Sequence, residues 1–232
     1  MRKLLSVLLA ATLFFLLCGG AFAESVLPLI GILAPAATHG WAGGVTYYAQ
    51  KIADDMELNY RLLTSSNAEE MSGQIEELIS LGAVGIAVWP QFEGVEAAAE
   101  RALEKGIIIS NFDRIIKVGE QYAGNMYQLT GDNYGMGVEG ANYIAEKLGG
   151  EGKIVILDVP TSGTVAADRK AGFLDTIAEV APGIEVIATV NTQFTRQDGL
   201  NDMADALTAY DQIDAVFSVD DETSIGALQA IL

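Results

Sequence analysis

Short runs of apolar residues alternate, from Val26 onward, with longer segments in which apolar residues recur every three or four positions. Such near-continuous runs are typical of strands buried on both faces of a parallel sheet. They predict strands over residues 27–33, 60–64, 84–89, 107–111, 122–125, 153–159, 185–190 and 214–218. Because strands and helical segments follow one another in turn, the sequence predicts an α/β fold with doubly wound parallel sheets.

The segments between these strands have the spacing of helices with one apolar face. Asn67 is a predicted N-cap because Glu70 follows three residues later, as in a capping box. Gly106 and Gly149 come where two helices are expected to end, in the left-handed conformation that glycine tolerates. The predicted buried faces consist of Met71, Ile75, Leu78 and Ile79, of Val95, Ala98, Ala102 and Leu103, of Tyr134, Val138, Ala141, Ala145 and Leu148, and of Leu200, Met203, Ala204 and Leu207.

The alternation of strands and helices breaks once, near residues 124–130. A short predicted strand is followed there by a polar turn, and the pattern restarts with a fresh strand at Lys153. We therefore predict two lobes, an amino-terminal α/β lobe over residues 24–126 and a carboxyl-terminal α/β lobe over residues 127–232. The break between them is the predicted hinge.

The first 23 residues have the features of an export signal. Arg2 and Lys3 precede an apolar run over residues 4–17, and Ala21 and Ala23 supply the small residues that a signal peptidase requires. We therefore expect a signal peptide over residues 1–23 and a mature protein in the periplasm or cell envelope. A lipid anchor on Cys18 is the alternative, but Leu17 is bulkier than the residue that normally precedes a lipidated cysteine.

Composition narrows the class of protein further. The chain has 31 acidic and 13 basic residues and a net charge of −18, whereas nucleic-acid binding requires clustered Lys and Arg. Nucleic-acid partners are therefore excluded. Cys18 is the one cysteine of the sequence and would leave with the signal, so no disulfide or cysteine-ligated metal is expected in the mature chain. No other metal site and no cofactor are predicted. No later apolar run approaches the ~20 residues of a membrane span, which predicts a soluble mature protein.

Candidate chemistry collects where the predicted strands end. Ligands of open parallel sheets bind outside the carboxyl ends of the strands, where successive loops converge. The candidates are aromatic or hydrogen-bonding residues: His39, Trp41, Trp89, Phe112, Asp113 and Arg114 in the first lobe, and Arg169, Phe194 and Asp220 in the second. Aromatic faces that cover C–H groups, together with side chains that pair hydroxyls, suit a neutral polyhydroxylated ligand.

Several candidates also have a purely structural interpretation. Asp113 and Arg114 could form a solvated ion pair, which would stabilise the fold by ~0 to 1 kcal/mol and bind nothing. The tryptophans and Phe194 could belong to the core, His39 could cap a loop, and Arg169 could pair with a carboxylate. We assign Asp221 and Glu222 to the capping of the following helix, where the helix dipole favours carboxylates.

One glycine motif needs a separate interpretation. Residues 135–140, Gly-Met-Gly-Val-Glu-Gly, match the letters of the dinucleotide-binding pattern G-x-G-x-x-G. They lie inside a predicted helix rather than in a tight turn after a buried strand. We therefore attribute the match to chance or to close helix packing.

Three runs resemble the ribose/galactose-type periplasmic binding proteins. They are Ile-Ile-Ile-Ser-Asn-Phe-Asp-Arg at 107–114, Ala-Asp-Arg-Lys-Ala-Gly-Phe at 167–173, and Asp-Ala-Val-Phe-Ser-Val-Asp-Asp-Glu at 214–222. The resemblance covers nearly all of the mature chain. It implies the type I periplasmic-binding-protein fold and the role of solute-binding component of a sugar ABC importer, which delivers its ligand to a membrane permease. A monomer is expected.

The resemblance also implies roles for individual residues. Asp113 and Arg114 match the Asp-Arg pair that hydrogen-bonds the sugar, Trp41 and Phe194 match stacking aromatics, and Asp220 matches an Asn or Asp contact from the second lobe. His39 stands where ribose-type members often have Asn.

Two positions depart from the family pattern. Many ribose-type members have an arginine contact where this chain has Ala167, and a smaller polar residue is common at Trp89. These departures put ribose itself in doubt and leave another sugar, a polyol or a sugar-like signal open.

The last twelve residues, 221–232, read as a helix with apolar Ile225, Leu228 and Leu232, and the sequence stops there without a cap or polar tail. Because the family continues with further strands, the carboxyl-terminal part is expected to be missing.

Three other functions share features with this sequence. An exported glycoside hydrolase could use paired carboxylates such as Asp113 and Asp220, but one histidine, no mature cysteine and no nucleophile motif argue against an enzyme. A repressor effector domain shares the fold, yet an export signal occupies the place of its helix-turn-helix. A sensory binding protein that feeds a receptor cannot be separated from a transport protein by sequence.

Overall fold

The computed structural model describes residues 27–38 and 40–232. The predicted signal peptide, Cys18 and His39 lie outside the described residues. The described chain forms two parallel sheets, one of five strands in the order β2-β1-β3-β4-β5 and one of three strands in the order β7-β6-β8. The strands are β1 Ile30–Pro35, β2 Tyr60–Ser65, β3 Gly85–Val88, β4 Ile108–Phe112, β5 Met126–Leu129, β6 Glu151–Asp158, β7 Gly183–Asn191 and β8 Ala215–Ser218.

Helices cover the sheets and connect consecutive strands except β4 and β5, between which the described chain has only the 3₁₀ turn Glu120–Tyr122. They are α1 Gly40–Asp55, α2 Ala68–Ser80, α3 Glu96–Glu104, α4 Asn133–Leu148, α5 Thr164–Val180, α6 Arg196–Ala209 and α7 Asp221–Ile231. Every strand pairing is parallel. The predicted α/β class with doubly wound parallel sheets is therefore confirmed.

The predicted cap of α2 is present. The Asn67 side chain accepts a hydrogen bond from the Glu70 N–H at 2.9 Å, and the Glu70 carboxylate accepts one from the Ser66 N–H at 2.7 Å. Met71, Ile75 and Leu78 then lie buried on one face of α2 against the first sheet. Local capping and apolar spacing thus agree with the packing of this helix.

The fifth strand is displaced from its predicted position. Residues 122–125 do not form a strand, because Glu120–Tyr122 is a 3₁₀ turn and Asn125 N–H closes a further turn on the Tyr122 carbonyl. β5 begins at Met126, the one buried residue of an edge strand whose other side chains are exposed. This edge strand buries too few residues to give a clear apolar run.

β5, the last strand of the first sheet, ends at Leu129, and α4, which packs on the second sheet, begins at Asn133. The chain therefore passes between the two sheets over residues 130–132. The lobe boundary at residue 126 stays a prediction.

Glycines set the packing of the second sheet's helices. α4 meets α5 at Gly137 and Gly172, where an added Cβ would lie 2.0 Å from the Arg169 carbonyl oxygen and 2.1 Å from the Tyr134 carbonyl oxygen. α6 meets α7 in the same way at Gly199 and Gly226. These contacts allow the helix backbones to approach more closely than any side chain would permit.

Close packing through glycine also rotates the helix faces away from the predicted ones. α4 buries Asn133, Gly137, Ala141 and Ile144, and Tyr134 is largely exposed. α6 buries Gly199, Met203 and Ala206, and α7 buries Thr223, Gly226 and Ala227. The predicted α6 face is therefore confirmed at Met203 and wrong at Ala204 and Leu207, which are exposed. The apolar residues Ile225, Leu228 and Leu232 at the end of the described chain are exposed as well.

Candidate functional site

The carboxyl ends of both sheets face one cleft. Its cavity has a volume of about 960 Å³ and receives residues from the loops after β1, β3, β4, β5, β6, β7 and β8. The eight described residues that the sequence singled out all line it: Trp41, Trp89, Phe112, Asp113, Arg114, Arg169, Phe194 and Asp220. Their role as ligand contacts stays a prediction.

Three aromatic rings form one wall of the cleft. Trp41, at the start of α1, is 59% exposed, whereas Trp89, after β3, is 3% exposed. The two ring centroids are 6.3 Å apart in an edge-to-face arrangement, and the Trp89 and Phe112 centroids are 5.9 Å apart. Trp89 therefore supports the wall from beneath, and Trp41 offers a free ring face to the cleft.

Asp113 follows β4 directly and has a left-handed backbone conformation with φ of 65°. Its N–H donates to the Leu129 carbonyl at 2.8 Å. Burial raises the pKa of the Asp113 carboxyl above its usual value, while a hydrogen bond from Trp89 and the positive charge of Arg169 offset part of that rise. The Asp113 carboxyl is half-buried at the cleft, where its oxygens can accept hydrogen bonds.

The raised pKa predicts how stability depends on pH. A carboxyl that binds its proton more tightly in the folded state favours folding as pH falls and disfavours it once ionised. Relative to the parent, Asp113→Asn is therefore expected to gain free energy of unfolding as pH rises from about 4, near the pKa of an ordinary aspartate, through the raised folded-state pKa to about pH 7. Urea unfolding of both proteins at the two pH values measures the difference, with exposed Asp205→Asn in α6 as the control. A difference that stays constant with pH would contradict the expectation.

Hydrogen bonds to loops of both sheets hold the Arg114 guanidinium in place. Its Nη1 donates to the Gln91 carbonyl at 2.5 Å, and its Nη2 donates to Glu93 Oε1 at 2.9 Å. Nη1 also lies 3.4 Å from the carbonyl oxygen of Thr161, which follows β6 of the other sheet. The guanidinium consequently connects the loops of the two sheets.

On the side of the second sheet, Arg169 of α5 is held in a similar way. Its Nε donates to Asn133 Oδ1 at 3.0 Å and its Nη1 donates to the Val219 carbonyl at 2.8 Å. These bonds tie α5 to the start of α4 and to the end of β8. The partners in these bonds are an amide oxygen and a backbone carbonyl rather than a carboxylate.

Asp220 caps the helix that follows it. Its Oδ1 accepts hydrogen bonds from the Thr223 N–H at 3.0 Å and from Thr223 Oγ1 at 3.2 Å, so Asp220 is the N-cap of α7. The hydrogen-bonded cap is thus Asp220, whereas Asp221 and Glu222 supply negative charge to the first turn of α7, the place that the sequence predicted for them. Both lie in the first turn and line the cleft, and Glu222 forms an ion pair with Arg196 at 2.6 Å.

The cleft also contains residues that the sequence left outside the candidate set. They are Gly40, Gln91, Leu129, Thr130, Gly131, Asn133, Met136, Ser162, Val165, Phe217, Ser218 and Val219, together with Asp221 and Glu222. Gln91 and Ser162 follow predicted strands and could have been chosen by the same rule. Residues 129–136 could not have been chosen by this rule, because the fifth strand was predicted four residues too early and its end was therefore misplaced.

Two further observations concern the described residues as a whole. None of the helices within 27–38 and 40–232 is long and apolar enough to cross a membrane. In the same part of the chain, no group of three or more His, Cys, Asp or Glu side chains is arranged to hold a metal ion.

The chain belongs to the periplasmic binding protein domain family, which matches residues 30–232. Its relatives include the ribose import binding protein RbsB of Escherichia coli strain K12, which is 31% identical over 186 residues that cover 79% of this chain and 60% of the relative. The xylitol-binding protein of Mycolicibacterium smegmatis is 28% identical over 190 residues, which cover 81% of this chain and 52% of that protein. The resemblance to the ribose/galactose-type proteins is thereby confirmed.

A solved structure shares the fold. The periplasmic binding component of the arabinose ABC transporter from Shewanella sp. ANA-3, bound to α- and β-L-arabinofuranose, superimposes with a TM-score of 0.81 at 25% identity, over 88% of this chain and 68% of that one. The type I periplasmic-binding-protein fold is thus confirmed. The chain spans about 60% of the length of the ribose-binding relatives that it matches.

Proposed function

We propose that this protein is the solute-binding component of an ABC importer and captures a monosaccharide or polyol between two lobes. The observation that carries the proposal is a single cleft lined by aromatic and polar side chains from the carboxyl ends of both sheets. The relatives named for ribose and xylitol, and the neighbour that holds L-arabinofuranose, support a small polyhydroxylated ligand.

The charges of the cleft favour a neutral ligand over an anionic one. Arg114 donates to the Gln91 carbonyl and to Glu93, and Arg169 donates to Asn133 and to the Val219 carbonyl. These bonds use two of the five N–H donors of each guanidinium, and the carboxylates of Asp113, Asp220, Asp221 and Glu222 share the same cavity. Four carboxylates against two guanidinium groups line the cavity, so an acidic or phosphorylated sugar would meet more negative than positive charge.

A neutral sugar fits the remaining groups. The exposed ring of Trp41 can cover the C–H face of a sugar, and the Asp113 carboxylate can accept hydrogen bonds from two adjacent hydroxyls. The roles of Phe112, Phe194 and Asp220 as ligand contacts belong to the same proposal. His39 is retained in it from the sequence.

Capture between the lobes requires that they move. We place a lobe on each side of the connection near residues 124–132, with the predicted lobes 24–126 and 127–232. A ligand that touches residues of both sheets binds the closed state better than the open one and shifts the population toward closure. The contact of Arg114 with the Thr161 carbonyl supports direct approach of the two edges.

The remaining parts of the proposal concern the setting of the protein. We place it in the periplasm or cell envelope as a monomer that passes its ligand unchanged to a membrane permease and catalyses no reaction. A lipid anchor on Cys18 and a sensory role without transport stay the alternatives that the sequence left open.

A thermal-shift screen of the whole chain tests the proposal. D-Ribose, xylitol, L-arabinose and D-allose are compared with D-ribose 5-phosphate and D-gluconate as anionic controls. At a ligand concentration of about 100 times Kd, a neutral ligand stabilises the fold by ~2.7 kcal/mol, which raises Tm by roughly 5 to 10 °C. A shift with the anions alone, or turnover of a glycoside that Asp113→Asn abolishes, would overturn the proposal.

A further inference from the structure

Asn111 is a buried polar residue near the end of β4. It is 0% exposed and shares its face of β4 with buried Ile109. A buried amide without partners would destabilise the fold, so the contacts of this side chain decide its role.

The amide of Asn111 binds the turn that follows it. Its Nδ2 donates to the Arg114 carbonyl at 2.9 Å and lies 3.3 Å from the carbonyl oxygens of Phe112 and Val88. Its Oδ1 accepts from the Ile116 N–H at 2.8 Å. Three of these four contacts go to residues 112–116, so one side chain fixes both ends of the turn that contains Asp113.

This turn has a conformation that needs support. Asp113 has φ of 65°, a region that L residues other than glycine rarely adopt and that persists where surrounding contacts enforce it. The Asp113 N–H donates to the Leu129 carbonyl at 2.8 Å, and Gln128 Nε2 donates to the Ile116 carbonyl at 2.7 Å. Both contacts come from β5, and Asn111 supplies the support from β4.

We propose that Asn111 is a positioning residue for ligand binding, which holds residues 112–116 so that Asp113 and Arg114 face the cleft. The proposal rests on the proposed function for the ligand itself, but the geometry of the turn can be tested without a ligand. A residue that merely fills the core would need no amide, since leucine has a similar volume and suits the apolar face of Ile109.

Two variants and one control separate positioning from stability. Asn111→Leu keeps the volume and removes all four contacts, and Asn111→Ser is the milder variant if the leucine protein does not fold. The matched control is Asn67→Ala, which removes the cap of α2 and lowers the melting temperature at a site away from the cleft.

The first readout is the titration of the Asp113 carboxyl, followed by ¹³C NMR and assigned with Asp113→Asn. Trp89 and Arg169 also act on this carboxyl, and neither variant alters them. With the turn released into water, the Asp113 pKa is expected to fall from its raised value toward that of an ordinary aspartate in both Asn111 variants, and to stay unchanged in Asn67→Ala. An unchanged Asp113 titration in a folded Asn111 variant overturns the proposal.

The second readout is calorimetric titration with D-ribose. Affinity is expected to drop at least ~10-fold in the Asn111 variants and to stay within about twofold of the parent in Asn67→Ala, because the control leaves the turn intact. Equal losses in all three variants would make Asn111 an ordinary structural residue and overturn the proposal. If the parent binds no sugar of the screen, the proposed function fails, and the carboxyl titration still decides the role of Asn111.

Discussion

Replacing Asp113 with alanine is expected to weaken sugar binding at least ~10-fold and to leave the fold intact. Hydrogen bonds to a charged acceptor contribute roughly 1.5 to 3 kcal/mol each, and 1.4 kcal/mol is a tenfold change in affinity. The carboxylate lies in a turn at the mouth of the sheet, and its loss removes no part of the apolar core. Calorimetric titration with the ligand identified in the thermal-shift screen measures the effect.

The control for this experiment is Asp205→Ala, on the exposed side of α6. Asp221→Ala is unsuitable because Asp221 lines the cleft. The control removes the same charge from the chain and is expected to bind as the parent does. If Asp113→Ala binds like the parent while it remains folded, Asp113 is not the ligand anchor and the first-lobe site assignment is wrong.

The second large effect is expected from Gly137→Ala, which should destabilise the protein by ~1 to 3 kcal/mol. The added Cβ would lie 2.0 Å from the Arg169 carbonyl oxygen and 2.6 Å from the Phe173 nitrogen, both backbone atoms of α5. Because neither helix backbone can yield locally, α4 and α5 must separate and loosen the core around Phe173. Urea unfolding gives the change in free energy of unfolding.

Gly73→Ala in α2 is the matched control, since nothing lies within 4 Å of the added Cβ. It is expected to stabilise the helix by ~0.5 to 1 kcal/mol, because alanine loses less backbone entropy on folding than glycine. The two substitutions are chemically identical, so opposite signs would establish that contact across the helix pair decides the effect. Stabilisation in both would show that α4 and α5 can accommodate a methyl group.

Gly137 also settles how the glycine motif at residues 135–140 should be understood. The structure places the motif at the start of α4, where Gly137 meets α5 and an added Cβ at Gly140 would lie 2.7 Å from the Phe217 ring. Close helix packing, one of the two explanations offered from the sequence, is the one that the contacts support. Letters alone could not distinguish it, because a glycine that approaches a phosphate and one that approaches a helix look the same in sequence.

Burial explains which elements the sequence predicted well. Seven of the eight predicted strands overlap an observed one, because strands covered on both faces are apolar along their length. β5 was misplaced because three of its four residues are exposed, whereas the edge strands β2 and β7 also carry partly buried apolar residues. The helix faces of the second lobe were rotated because hydrophobicity scores side chains, whereas Gly199 and Gly226 pack by having none.

The location of the cleft was predictable from the sequence, but the bonding within it was not. Any residue after a parallel strand arrives at the same edge, so the rule needs no knowledge of side-chain direction. Which carbonyl Arg114 or Arg169 would bind depends on loops that are distant in sequence, such as those of Gln91 and Val219. The position of Asn111 beneath the turn likewise requires the folded backbone, since nothing in the apolar run distinguishes its amide from an ordinary strand end.

The two tryptophans of the chain allow the cleft to be studied by intrinsic fluorescence. Trp89 is enclosed and Trp41 is open to water, so the two indoles emit at different wavelengths and a dissolved quencher such as acrylamide reaches one of them far more readily. Their edge-to-face contact couples the emission of the buried ring to the state of the open one. If the ligand covers Trp41 as proposed, its binding to the unlabelled protein is expected to reduce quenching of the Trp41 emission.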